Sequence, residues 1–276
     1  MTSLLSARNV SYRLRHQLLV DSANLELNSG EVTVVIGPNG AGKSTLLRLL
    51  SGETRPTGGN VVSLGEDLAR LPAWKLACRR AVMAQSGRVA FPLRAHEVVR
   101  LGLDGVAPDT APDAARSMIG EALDRAGVLH LAGRDILTLS GGEQQRVFFA
   151  RTLCQLDAGR RFEARQALFL DEPIASLDLS HQIRLLETVR SLARTRAMAV
   201  VAVLHDINLA LWFADQLAVM HKGRIVARGS PEAALDKELL RTVFGVRLRE
   251  AAEAGRTMPM VVLPQFCAVD AEREAR

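Results

Sequence analysis

Aromatic residues are scarce in this 276-residue chain: Phe, Trp and Tyr together make up 4%, and there is a single tyrosine. A platform for single-stranded nucleic acid needs several rings along a basic groove, so that class is poorly supplied. Cysteine is equally sparse. Cys78, Cys154 and Cys267 lie far apart with no C-x-x-C pair, which argues against a thiolate metal site or a disulfide framework and suits a reducing compartment. No uninterrupted apolar run approaches the roughly 18 residues of a membrane-spanning helix. Met1–Arg8 has no basic segment leading into a long apolar stretch, so no secretory leader is expected.

What is present is ordinary globular material, 48% hydrophobic and 24% charged, in a chain long enough for one large domain or two joined lobes. The net charge is +5 and the isoelectric point about 9.6. The Lys and Arg residues are scattered rather than blocked, which favours solubility or docking at a membrane face over nucleic acid.

The organising stretch is Gly37-Pro38-Asn39-Gly40-Ala41-Gly42-Lys43-Ser44-Thr45. It fits G-x-x-x-x-G-K-[ST], the phosphate-binding P-loop. Glu31–Ile36 before it is a β-branched run that predicts a buried parallel strand, and Ser44–Leu50 after it predicts a helix. Glycines let the backbone turn tightly and aim its N–H groups inward, and the helix adds the positive end of its dipole. Lys43 then reaches the β- and γ-phosphates, and the Ser44 hydroxyl ligates Mg²⁺.

Before the P-loop, Ser6–Leu14 and Leu18–Leu27 predict two strands. Tyr12 reads equally as a half-buried strand aromatic or as a ring for adenine. After it come strands at Asn60–Leu64 and Ala81–Gln85. Gln85 is either a surface amide or a ligand to Mg²⁺ or the attacking water. From about Gly87 to Thr138 the pattern turns helical, with helices over Arg94–Leu103 and Asp113–Ala126, the second with Asp113 as its N-cap. Leu139–Arg146 opens a further helix running to about Gln155. There Ser140 and Glu143 form a capping box, and Gly141 and Gly142 leave an anion site at the helix N-terminus. One triphosphate cannot easily use this site and the P-loop of the same chain unless one comes from a partner. Gln155–Arg165 is polar and predicts a surface loop.

Ala167–Leu170 is an apolar strand ending in Asp171 and Glu172. Paired acids at a strand end in a P-loop protein form the Walker B arrangement: Asp171 holds Mg²⁺ and Glu172 polarises the attacking water. A helix with Ile183, Leu186, Val189 and Leu192 on one face follows Ser176-Leu177-Asp178. Ala197–Leu204 is an apolar strand ending at His205, placed where the sites of α/β sheets assemble and able to contact the γ-phosphate. Leu217–His221 and Arg224–Arg228 predict a hairpin, and Pro231–Gly245 a helix pair. Residues 268–276 are expected to fray.

Tyr12, the P-loop, Gln85, Leu139–Arg146, Leu168–Glu172, Ser176–Asp178 and His205 resemble, in order and spacing, the ATP-binding cassette of ABC transporters. Residues 139–146 look like that family's signature sequence. The resemblance spans about residues 3–248. It implies an α/β P-loop NTPase fold with a mixed core sheet, an N-terminal antiparallel β region and a helical subdomain inserted at about 87–138. Residues 1–248 would form a single ATPase domain and 249–276 a C-terminal extension. It further implies ATP and Mg²⁺ as ligands and a head-to-tail homodimer. Each ATP would lie between one subunit's Lys43 and the other's Ser140 and Gly142, with Gly141 and Asp178 also counted among the nucleotide-binding residues. Tyr12 becomes the adenine-stacking ring, Gln85 the Q-loop lever and metal ligand, and His205 the switch histidine. A membrane permease dimer, and through it a periplasmic binding protein, are implied partners at the cytoplasmic face of the inner membrane, with no nucleic acid. Gln85-Ser86, Ala90-Phe91-Pro92, Asp178–Gln182 and Val203–Ala210 look like importers of iron chelates, cobalamin and haem. The Gln85–Leu103 segment and residues 155–165 look most like bacterial haem (hemin) importers. Ile174 departs from the pattern, in which Thr is usual, and little effect is expected.

Overall fold

In this computed structural model, residues 3–85, 91–245, 247–249 and 263–265 are described. Among the described residues a four-stranded and a six-stranded sheet form the body of the fold, with a separate two-stranded pair. Strands β1 (Ser3–Leu14) and β2 (Gln17–Asn28) pair antiparallel. After β3 (Val32–Ile36) and α1 (Lys43–Leu50), β4 (Gly58–Ser63) and β5 (Glu66–Asp67) complete a four-stranded antiparallel sheet in the order β2-β1-β4-β5. The chain continues through α2 (Ala73–Arg79), β6 (Arg80–Met83), α3 (Ala95–Asp104), α4 (Pro112–Arg125) and α5 (Gly141–Gly159). Next come β7 (Ala167–Asp171), α6 (Leu179–Arg196), β8 (Ala199–Val203), α7 (Ile207–Phe213), β9 (Gln216–His221) and β10 (Arg224–Gly229). The second sheet is ordered β10-β9-β3-β8-β7-β6, with parallel pairing throughout except at β10. Short helices α8 (Pro231–Ala234) and α9 (Lys237–Phe244) follow, and then the pair β11 (Arg247–Arg249) and β12 (Leu263–Gln265), whose first strand straddles residue 248.

The central strands are buried on both faces, which is why they read as unbroken apolar runs. Alternate residues serve different layers. Val32, Val34, Leu168, Leu170, Val200 and Ala202 join the core shared with α3 to α6. Val35, Phe169, Val201 and Val203 join the core beneath α1 and the antiparallel sheet. The mixed core sheet, the antiparallel β region and the helical segment all match the expected class.

Local differences from the sequence reading have identifiable causes. Asp113 is not the N-cap of α4: the cap is Ala111, and Pro112 opens the helix. Proline at the first helical position loses nothing, since its missing N–H has no intrahelical partner there. Helix α5 does not stop at Gln155, and the expected loop at 155–165 shrinks, because α5 runs to Gly159 with Leu156, Ala158 and Gly159 buried. Its polar residues find distant partners. Gln155 donates to the carbonyls of Ala77 and Arg80 (3.1 and 3.0 Å), and Asp157 pairs with Arg125 and Arg196. Ala197, at φ 50°, ends α6 rather than starting β8. Ser86–Ala90 and residues 268–276 lie outside the described residues.

Candidate functional site

Four neighbouring parallel strands, β3, β8, β7 and β6, lead at their C-terminal ends into the four candidate segments: the P-loop, His205, Asp171-Glu172 and Gln85. Parallel pairing puts all four at one edge of the sheet, where sites of open α/β folds form. The P-loop is pinned between two strands by glycine. Gly37 has φ 154°, and a Cβ there would lie 2.2 Å from the Met220 carbonyl oxygen of β9. Gly42 has φ 100°, and its Cβ would lie 2.4 Å from the Leu19 carbonyl oxygen of β2. No L side chain fits either position without moving backbone.

Lys43 is buried and donates from Nζ to the carbonyls of Gly37 (2.8 Å) and Pro38 (3.0 Å), folding back over the loop it follows. Burial lowers its pKa, while the Glu172 and Asp171 carboxylates act in the opposite direction. The Ser44 hydroxyl donates to Asp171 Oδ1 at 2.9 Å, joining the start of α1 to the end of β7. Burial raises the pKa of Asp171, opposed by that hydrogen bond. A hydroxyl and a carboxylate in contact are hard oxygen donors. They suit Mg²⁺, which takes one or two protein ligands and fills its remaining positions with phosphate and water.

Glu172 has φ 51°, left-handed for a residue with a side chain. Its N–H reaches the Val203 carbonyl (3.2 Å) and its own carbonyl accepts from Gln145 Nε2 (3.1 Å). The carboxylate lies 2.5 Å from His205 Nε2 through Oε1, and accepts from Gln85 Nε2 through Oε2 at 2.6 Å. Three residues remote in sequence thus meet at one carboxylate. With Leu19 and Asn39–Thr45, Glu172 and His205 line a shallow cavity of about 230 Å³.

Other sequence candidates lie apart from this cavity. Tyr12 is partly buried against the core beneath the antiparallel sheet and is not among the lining residues. Ser140 is exposed and caps α5. Its N–H and hydroxyl both donate to Glu143 Oε2 at 2.8 Å, and its hydroxyl accepts from the Glu143 N–H at 3.3 Å. The Ser140 N–H, followed by its hydroxyl, lowers the Glu143 pKa. Gly141 and Gly142 follow in the first turn, packed against Ser176. The signature turn therefore contributes nothing to the lining of its own chain's cavity.

Asp178 caps α6, accepting from the His181 N–H at 2.9 Å and contacting the Ser180 hydroxyl and the His181 ring. The His181 N–H, then its ring, hold the carboxyl down to about 2. The folded value lies below the unfolded one of about 3.9, so the cap's contribution is complete above the unfolded value and fades as pH falls toward the folded value. Asp178→Ala is therefore expected to lower Tm by a steady amount above about pH 5, and by a shrinking amount below about pH 4. Thermal melts of both proteins across that range check it, and a penalty that stays constant down to about pH 2 would show that the carboxylate charge plays no part.

Leu19 also belongs to this neighbourhood and carried no sequence signal, being an ordinary strand residue; Gln145 lies within the signature-like stretch 139–146, but its individual contact was not legible there. Ile174 is buried in the core shared by α3 to α6, where an apolar side chain is accommodated.

A P-loop joined to paired acids at the edge of a parallel sheet, with a capped, exposed signature turn, defines an ABC-type ATPase cassette. The chain belongs to the ABC transporter family, whose model matches residues 20–175. It is 47% identical over 248 residues to the hemin import ATP-binding protein HmuV of Rhodopseudomonas palustris strain ATCC BAA-98 / CGA009, covering 90% of each chain. It is 44% identical to the protein of the same name from Gloeobacter violaceus, covering 94% of each. Among solved structures, an inward-facing ABC transporter assigned to the metal-chelate type superposes with a TM-score of 0.78 at 25% identity, covering 96% of this chain and 99% of that one. A dimeric post-hydrolysis cassette bound to ADP and phosphate superposes at 0.71 with 23% identity, covering 82% of this chain and 98% of that one, a likeness of fold.

Proposed function

We propose that this chain is the ATP-hydrolysing subunit of a bacterial ABC importer that powers uptake of hemin through a membrane permease. The observation that carries the motor is the convergence of Gln85 and His205 on Glu172 at the mouth of the P-loop. A carboxylate held from two sides beside a phosphate cradle is placed to take a proton from an attacking water. Lys43 and the backbone of residues 37–45 hold the phosphates. Ser44 and Asp171 hold Mg²⁺, with Gln85 as a further ligand once its amide leaves Glu172. When bound, the ion neutralises charge on the β- and γ-phosphates. Tyr12 serves the adenine ring.

The exposed signature turn supports a head-to-tail homodimer in which Ser140, Gly141, Gly142 and Asp178 complete the partner's site. Residues 1–248 act as one cassette with the helical subdomain at about 87–138, and 249–276 extend it. Among the described residues no helix is long and apolar enough to cross a membrane. The chain then works as a peripheral subunit at the cytoplasmic face of the inner membrane, beneath a permease dimer fed by a periplasmic binding protein. Closure of the pair moves the permease only if nucleotide binds the closed state more tightly than the open one.

Cargo rests on the hemin importers that match this chain over nearly its whole length. The metal-chelate type neighbour favours an iron chelate as the second reading. The test is ATP-dependent uptake by proteoliposomes holding this chain with its permease, comparing hemin, a ferric siderophore and cobalamin. Hemin-selective uptake is expected. Uptake of another chelate discards hemin and keeps the motor, while ATPase activity stimulated by nucleic acid without a permease overturns the transporter reading.

A further inference from the structure

We propose that Gln145 is a positioning residue that clamps the peptide carrying Glu172 to helix α5, so that the hydrolytic carboxylate keeps its aim. The proposal rests on Glu172 being the hydrolytic carboxylate. Gln145 sits in the second turn of α5, five residues after Ser140. Its amide is used at both ends. Nε2 donates to the Glu172 carbonyl at 3.1 Å, and Oε1 accepts from the Ser176 N–H at 3.1 Å. One side chain thus spans the segment 172–176, between the paired acids and the turn packed on Gly141 and Gly142. From the other side, Gln182 on α6 donates to the carbonyls of Leu177 (2.9 Å) and Ile174 (3.3 Å).

The clamp acts where the backbone needs holding. A side-chain-bearing residue at φ 51° is costly and persists only where its surroundings fix it. The Glu172 N–H is fixed by Val203 of β8. Its carbonyl has a local acceptor role toward the Ala175 N–H at 3.4 Å, and Gln145 makes the shorter contact. Without Gln145 the Glu172 carbonyl keeps only the longer contact from the Ala175 N–H. The carboxylate then loses its aim although Gln85 and His205 remain. Gln145 touches none of the residues that hold phosphate, so triphosphate affinity is not its concern.

The test measures steady-state ATPase, nucleotide bound per chain and Tm on the full chain for four proteins: parental, Gln145→Met, Gln145→Glu and Glu172→Gln. Met keeps the length and removes both hydrogen bonds, while Glu keeps the acceptor for Ser176 and loses the donor to Glu172. Gln145→Met is expected to lower kcat by about tenfold or more, the scale of a small misplacement of a reacting group. KM should stay within about twofold and nucleotide should still bind once per chain, since no ground-state contact is lost. Gln145→Glu should be impaired at least as much as Met, because it loses the donor and turns a carboxylate oxygen toward the Glu172 carbonyl. A parental kcat in Gln145→Met or Gln145→Glu, or a loss of rate matched by loss of bound nucleotide, would overturn the clamp. Glu172→Gln separates the two claims. If it hydrolyses at the parental rate, the role of Glu172 falls and the clamp with it. If it is inactive while Gln145→Met is not impaired, only the clamp falls.

Discussion

Glu172→Gln is expected to slow ATP hydrolysis by roughly 10²–10⁴-fold, the usual worth of a positioned general base, while leaving ATP binding intact. The substitution is isosteric, so it isolates proton affinity from shape. An amide at position 172 can still meet Gln85 and His205, whose nitrogens lie 2.6 and 2.5 Å from the two carboxylate oxygens. It cannot take up the proton released when water attacks phosphorus. Binding rests on other groups, namely the P-loop backbone, Lys43, and the Ser44–Asp171 pair at 2.9 Å. Those are untouched, so nucleotide titration should give the parental affinity. Single-turnover hydrolysis with radiolabelled ATP measures the chemical step directly. If that step keeps the parental rate, Glu172 is not the base, and the two contacts it makes are structural. If ATP affinity collapses as well, the carboxylate is part of the cradle rather than of the chemistry.

The chemistry of this site was readable because each part is a local pattern: a β-branched strand, then glycines, lysine and serine, then a helix. Asp171-Glu172 and His205 were readable for the same reason, each closing an apolar strand. What joins them was not. The meeting of Gln85, Glu172 and His205 depends on β6, β7 and β8 lying side by side in register, and spacing along the chain does not encode that. Helix α5 shows the limit most clearly. Gln155-Leu156-Asp157-Ala158-Gly159 looks like a polar break, yet it is helical because Gln155 satisfies two carbonyls at the α2–β6 junction and Asp157 answers arginines from α4 and α6. Polar residues at core-facing positions are ruled out by periodicity and ruled in by partners tens of residues away. Gln145 belongs to the same class. Its type suits a solvated helix face, and only the positions of the Glu172 carbonyl and the Ser176 N–H give it work.

The largest loss of stability is expected from Phe169→Ala, at about 3–5 kcal/mol, a large fraction of the roughly 5–15 kcal/mol that holds a domain together. Phe169 is fully buried in β7, paired with Val82 of β6 and Val201 of β8. Its ring projects into the layer beneath α1, where Ala41, Leu46 and Leu47 also lie. Two effects add. Burial of the ring is lost, and the cavity left behind cannot close, because the neighbouring strands are fixed by their ladders and α1 is fixed by the P-loop. The second effect decides the size: a surface strand could relax, but this one is enclosed on both faces. For a chain of this length each kcal/mol moves Tm by about 2–4 °C, so a fall of roughly 6–20 °C is expected in the nucleotide-free protein. Phe169→Leu keeps most of the volume and should cost less than about 1.5 kcal/mol. Urea unfolding of both variants separates the alternatives. Equal, small losses would mean that the layer collapses around the gap and that the strands are not the rigid frame on which the site depends. A large loss for Ala alone would mean that the gap stays open in a rigid frame, and added ATP should raise the stability of the parental protein and both variants alike, since a ligand that binds only the folded state stabilises it by mass action.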